Sequence, residues 1–143
     1  MQNISDPVGS FFKTYEQNIS TGNIPALLAQ FADPFLAAIP QGARVVSAAD
    51  YAKALPVRHE LFHRLGCRST SLVDLHPIPL SSRFTLALTK WRMVFDGTES
   101  GPRELSIDTA FIVDTGTGAP QIVLYLPNED IMEVLKNHGI APA

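Results

Sequence analysis

RFTLALTKWRMVF, residues 83–95, changes character at every second position. Thr85, Ala87, Thr89, Trp91, Met93 and Phe95 make a face that is neutral or apolar throughout, while the other face starts apolar with Phe84, Leu86 and Leu88 and turns basic at Lys90 and Arg92. A period of two belongs to a β-strand. A strand apolar on both sides at one end needs a sheet that bends, or a second subunit over its outer face. A homodimer through the outer sheet face is therefore expected.

Outward from this strand the same period recurs. Arg68–Leu80, Arg103–Asp114 and Gln121–Leu126 are further strand candidates, separated by turn residues such as Asp96-Gly97 and Gly116-Thr117-Gly118. Short connections between long strands predict an antiparallel meander. His76-Pro77-Ile78-Pro79 falls inside one of these strands, where proline marks an edge or a bulge.

Upstream the period is helical. Ser5-Asp6-Pro7 is a helix start, and Val8, Phe11, Phe12, Tyr15 and Ile19 form one apolar stripe that must be buried. Gly22 stops that helix. Asn23 caps the next, Pro25 suits its first turn, and Ile24, Leu27, Leu28 and Phe31 carry the spacing on. Phe35–Ile39 and Arg44–Val46 read as short strands about a Pro40-Gln41-Gly42 turn. Ser47 through Leu65 reads as a third helix, capped by Ser47 or Asp50 and stopped by Gly66, which Pro56 should kink or restart. A last helix, capped by Asn128 or Asp130 and stopped by Gly139, carries Ile131, Val134 and Leu135 before an Ala-Pro-Ala tail. Helices first and long strands after, with no strand–helix–strand rhythm, predict an α+β domain rather than a parallel sheet.

The 143 residues suit one domain, residues 1–143, able to bury roughly 68–70% of the surface of the unfolded chain. Apolar residues make up 45% and charged residues 17%, without charge blocks or low-complexity runs, as in an ordinary globular protein. A net charge of −3 with scattered Lys and Arg argues against nucleic acid. No basic n-region with a long apolar run opens the chain, and no window reaches membrane-spanning length, so neither membrane nor secretion is expected and the cytoplasm is the default. The single cysteine, Cys67, fits a reducing compartment and reads as a small packed hydrophobe.

The order helix pair, short strands, third helix, long meander resembles the nuclear transport factor 2-like superfamily over essentially the whole chain. The local match runs from Thr14-Tyr15 through Gly22-Asn23-Ile24 to Leu28-Ala29-Gln30-Phe31-Ala32-Asp33, similar to the opening of ketosteroid isomerases and SnoaL-like proteins. The resemblance implies a cone-shaped, curved antiparallel sheet packed against three N-terminal helices with a short C-terminal helix, the cystatin-like arrangement, around a pocket. It implies a small apolar ligand and, if there is a reaction, isomerase, cyclase or hydratase-type chemistry without a cofactor. Partner-binding domains of the same superfamily give the alternative, a dimeric interaction module whose cavity is filled.

Residue by residue, Tyr15 falls where the isomerases carry a tyrosine donor, and Asp108 in Ser106-Ile107-Asp108-Thr109-Ala110-Phe111 falls where they carry a protonated aspartic acid. Independently, Tyr15 lies on the buried stripe and its hydroxyl needs a partner. Asp108 sits mid-strand among apolar neighbours, where desolvation would raise its pKa and let it donate to a ligand oxygen. Together they would polarise a carbonyl. Where the isomerases place the general-base carboxylate this chain has Ile39, which leaves the reaction unassigned. Asp33 reads as part of a turn, and Asp74 and His76 are the other titratable groups that could face a pocket. Trp91, Met93, Phe111 and Tyr125 are candidates for its apolar lining.

His59-Glu60-Leu61-Phe62-His63 satisfies H-E-x-x-H, which places two zinc ligands one turn apart around a glutamate base. A helical wheel puts Ala54, Val57, Leu61 and Leu65 on the core side and turns His59 and His63 away, and no downstream helix brings a third ligand. A zinc hydrolase is thus the remote reading, and no metal is expected. Arg58 falls on the apolar side of the same wheel, where it would snorkel past the core or pair with Asp108.

Overall fold

A computed structural model describes residues 6–96, 101–116 and 118–141. Helix α1, Pro7–Thr21, begins where the Asp6 carboxylate accepts the Val8 N–H at 3.0 Å and ends at Gly22, whose φ of 66° a side chain would resist. Val8, Phe11, Phe12 and Tyr15 are buried as the stripe requires. Helix α2, Ile24–Ala29, is capped by the Asn23 side chain, which accepts the Ala26 N–H. Ser5, Gly97, Thr117 and the Pro-Ala end of the tail, expected to take part in a cap, two turns and the terminus, lie outside the described residues.

Phe31 does not extend α2. Strand β1 runs Phe31–Ile39, four residues longer than expected, because Gln30 closes the helix and Phe31 pairs with Ile122. The Asp33-Pro34 step, read as a turn, lies within β1 where its register slips between Phe31 and Leu36, and Asp33 accepts the Ala48 N–H at 2.9 Å. Strand β2, Gly42–Val46, pairs antiparallel with β1. Helix α3, Ala48–Arg64, follows from a Ser47 cap and runs through Pro56 as one element, with the proline on its exposed side. Water can there replace the donor that proline lacks.

Strands β3, Cys67–Pro79, β4, Phe84–Phe95, β5, Arg103–Asp114, and β6, Gln121–Pro127, form the antiparallel meander. The sheet order is β2-β1-β6-β5-β4-β3. The sheet is mixed rather than purely antiparallel, since β1 and β6 pair in parallel. It is curved and unclosed, with register slips in β3 at Cys67/Ser69 and Leu72/Asp74. Helix α4, Ile131–Asn137, is capped by Asp130 and followed by Gly139 at φ 70°.

The inner face of β4 is the one the alternation selected, with Ala87, Thr89, Trp91, Met93 and Phe95 buried. On it sit two apolar clusters. One gathers the α1 stripe with Phe31, Phe35, Trp91 and Phe111; the other packs Met93, Phe95 and Leu105 against Val134 and Leu135 of α4. No helix among the described residues is long and apolar enough to cross a membrane.

Candidate functional site

Between the inner face and the helices lies a cavity of about 330 Å³, at the small end of the roughly 300–1,000 Å³ of ligand sites. Strands β4, β5 and β6 supply Trp91, Met93, Ile107, Thr109, Phe111 and Tyr125 to its wall, and α1 supplies Tyr15, Asn18 and Ile19. Helix α3 contributes Tyr51, Leu55, Arg58, His59 and Phe62. The exposed Pro40, Gln41 and Glu129 mark its mouth. All three tyrosines of the chain and its one tryptophan therefore meet at one space.

Their polar atoms differ in what they have left to offer. The Trp91 indole N–H donates to Thr89 Oγ1 at 2.8 Å, and the Thr89 hydroxyl donates in turn to the Thr109 carbonyl at 2.7 Å, so this wall is internally satisfied. Tyr125 Oη accepts from Arg58 Nη1 at 3.4 Å. Tyr15 and Tyr51 have no protein hydrogen-bond partner among the described residues. No enclosed side-chain oxygen or nitrogen lacks a partner, so both hydroxyls must open on to the cavity.

Electrostatics tie the four groups together. Burial raises the Tyr15 pKa well above the ordinary 10.0, and the negative charges that Tyr51 or Tyr125 would carry on ionising raise it further, against a lowering pull from Arg58. Burial pushes Tyr51 up to about 12, with Arg58 opposing and Tyr125 adding to the rise. Both are proton donors at neutral pH. The Arg58 guanidinium is held still more firmly charged, chiefly by Tyr125, against the cost of desolvation. The side chain is exposed and lines the open cavity.

Asp108 is not in this site. It lies exposed on the outer face of β5, 3.5 Å from Lys90 Nζ, while Thr109 and Phe111 point inward. Leu105, Thr109, Phe111 and Val113 form the face of β5 that is buried, and strand alternation then sends Asp108 outward with Ser106. The expected Arg58–Asp108 pair is absent for the same reason. His76 and Asp74 are also exposed, and Asp74 shares a shallow outer-face hollow with Lys90, Asp108 and Asn128. That outer face carries Leu88 and Leu126, 41% and 40% exposed.

Tyr15, Trp91, Met93, Phe111 and Tyr125 do line the cavity, as does Ile39. The wheel set Arg58 and Leu65 inward as found but misplaced Val57 and Ala54: Val57 is 67% exposed and Ala54 is exposed, whereas Leu55 is buried and Tyr51, Arg58 and Phe62 face the cavity. Tyr51, missed in the sequence, was signalled by the spacing Tyr51, Leu55, Arg58, Phe62. His59, expected to leave the core, lies against Gly22, where a Cβ would come within 2.7 Å of Nε2. His63 and Glu60 are exposed, and no three His, Cys, Asp or Glu side chains among the described residues are grouped to hold a metal.

The arrangement is rich in donors and poor in acceptors. Of the two carboxylates on the lining, Asp130 is engaged by Gln41 Nε2 at 2.6 Å and by the Met132 N–H at 2.9 Å, which hold it below the usual aspartate range. Glu129 is at the mouth. Such a site can stabilise negative charge on a ligand oxygen.

No protein-family model matches the sequence, and no curated protein matches it. Solved structures do resemble it. An NTF-2-like protein of unknown function from Shewanella oneidensis MR-1 superimposes with a TM-score of 0.68 at 12% identity, covering 88% of this chain and 98% of that one. Aln2 from a Streptomyces species gives 0.70 at 8% identity, covering 91% and 93%. A protein from Xanthomonas campestris pv. campestris with the provisional name polyketide cyclase gives 0.58 at 16% identity, covering 93% and 96%. At these identities the likeness speaks for the fold, and the fold is nuclear transport factor 2-like.

Proposed function

We propose that this nuclear transport factor 2-like domain binds a small, largely apolar molecule in the cavity and holds its oxygen atom with the hydroxyls of Tyr15 and Tyr51. The observation that carries the reading is the pair of phenolic hydroxyls, without a protein partner among the described residues, on a cavity whose walls are largely apolar. A protein that needed the cavity only as core would satisfy those groups internally or replace them with phenylalanine. The polyketide cyclase name of one structural neighbour is in keeping with a ring-bearing ligand that carries carbonyl oxygen.

Any reaction here is of the isomerase, cyclase or hydratase type and cofactor-independent, with the tyrosines and Arg58 stabilising an enolate-like oxygen. With Ile39 at the cavity wall, the proton acceptor would be His59 or Glu129, since the Asp130 carboxylate on the lining is engaged by Gln41 and the Met132 N–H. Titration with neutral ring ketones such as acetophenone, 1-tetralone and flavone tests binding, read by thermal shift and by the indole N–H resonance of the single tryptophan. Saturable shifts that weaken about tenfold in the Tyr15→Phe/Tyr51→Phe double variant are expected. Absence of any response across the panel would leave the interaction-module reading in its place.

A further inference from the structure

We infer that the natural ligand is an organic monoanion, a ring-bearing carboxylate, and that Arg58 is the residue that anchors it. The inference rests on the small-molecule reading above and adds the charge of the ligand to it. Arg58 lines the cavity from α3, and it is the one lysine or arginine among the described residues that does so. Its neighbours are Tyr125 Oη at a long 3.4 Å and the Phe62 ring, whose centroid lies 5.3 Å from the guanidinium carbon. No carboxylate stands within ion-pair distance of it among the described residues, whereas Arg68, Arg83, Lys90 and Arg92 each have one on the surface.

Arg58 is exposed at the wall of the open cavity, and with no carboxylate paired to it among the described residues its charge is available to a ligand. Leucine or methionine would pack the same wall. A guanidinium offers instead a planar fork of N–H donors that matches the two oxygens of a carboxylate, and the remaining lone pairs find the Tyr15 and Tyr51 hydroxyls. Glu129 and Asp130 also line the cavity, but neither lies within ion-pair distance of Arg58. One cation suits a single negative charge, and the apolar walls suit a ring behind it.

Matched pairs of probes test this: benzoate with benzamide, 2-naphthoate with 2-naphthamide, and biphenyl-4-carboxylate with its amide. Affinities come from calorimetry at pH 7, and the Trp91 indole N–H resonance reports whether binding is in the cavity. In at least one pair the carboxylate is expected to bind about tenfold more tightly than the amide and to move that resonance. Arg58→Met should abolish the advantage of the carboxylate over its amide. If the methionine variant does not fold, Arg58→Lys replaces it, and the charge preference should persist in weaker form because the fork is lost. Amides and carboxylates that bind equally well in the cavity would overturn the anion inference and leave the pocket reading standing. Carboxylates that bind without moving the Trp91 signal, or whose preference survives Arg58→Met, would overturn it as well. If neither these probes nor the neutral ketones bind, both readings fall.

Discussion

Two apolar clusters share the inner face of the sheet and are built from different material. The first holds Phe11, Phe12, Tyr15, Phe31, Phe35, Trp91 and Phe111, of which Tyr15, Trp91 and Phe111 line the cavity, with touching rings 4.8 to 6.1 Å apart between centroids. Beneath α4 the buried set is Met93, Phe95, Leu105, Val134, Leu135 and Ala141, with a single ring. Rings are rigid plates that can meet edge to face and still enclose space. Aliphatic side chains and methionine adjust to one another and close it. Rings thus dominate the first cluster, and the second meets the cavity only through Met93 and partly buried neighbours such as Ile107 and Ile131.

The comparison can be broken most directly at Phe12, which is fully buried and touches Phe11, Tyr15 and Phe111. Phe12→Ala should lose about 3–5 kcal/mol in urea unfolding, together with probe binding in the cavity. A loss below about 1 kcal/mol would mean that the rings do not carry the frame. Leu135→Ala, in the second cluster, should lose about 3 kcal/mol and leave affinity for a cavity probe within about twofold. Coupled loss of both would show that the two clusters act as one unit.

Alkaline pH sharpens the contrast. Because the folded pKa values of Tyr15 and Tyr51 lie above 10.0, stability is whole below pH 10 and declines as pH rises toward about 12, where the unfolded chain sheds protons the folded one retains. The urea midpoint should fall over that window, and Tyr51→Phe should flatten the slope. A midpoint insensitive to pH between 9 and 11.5 would contradict the enclosed position of these phenols. The smallest effect is expected from Tyr15→Phe at pH 7, under about 0.5 kcal/mol, since the hydroxyl has no protein partner to abandon. A loss above about 1 kcal/mol would reveal a structural hydrogen bond and weaken the case for a ligand.

Much of the frame is written in local pattern. The strand period from residue 67 onward, the Asp6, Asn23, Ser47 and Asp130 caps and the stop at Gly22 all appear where residue chemistry demands them. The start of β1 was hidden because Phe31 also satisfies helical spacing, and only its pairing with β6, ninety residues on, decides the matter. In α3 the apolar residues Val57 and Leu61 outweighed Tyr51 on the wheel, although a cavity wall is a place where tyrosine belongs. Asp108 was placed inward by likeness to a family and by its mid-strand position among apolar neighbours, whereas the alternate residues Leu105, Thr109, Phe111 and Val113 claim the inner side. The cavity itself is a property of three helices and three strands at once, and no single stretch announces it.

The parallel pairing of β1 with β6 has a consequence for how the chain comes into being. A ribosome delivers α1, α2 and β1 early, but the strand that completes their sheet, and the Tyr125 that partners Arg58, emerge only after residue 120. Until then the aromatic stripe of α1 has no finished surface to cover it. A nascent chain stalled before β6 would expose its stickiest side chains in the cell, and so would be a natural client for chaperones.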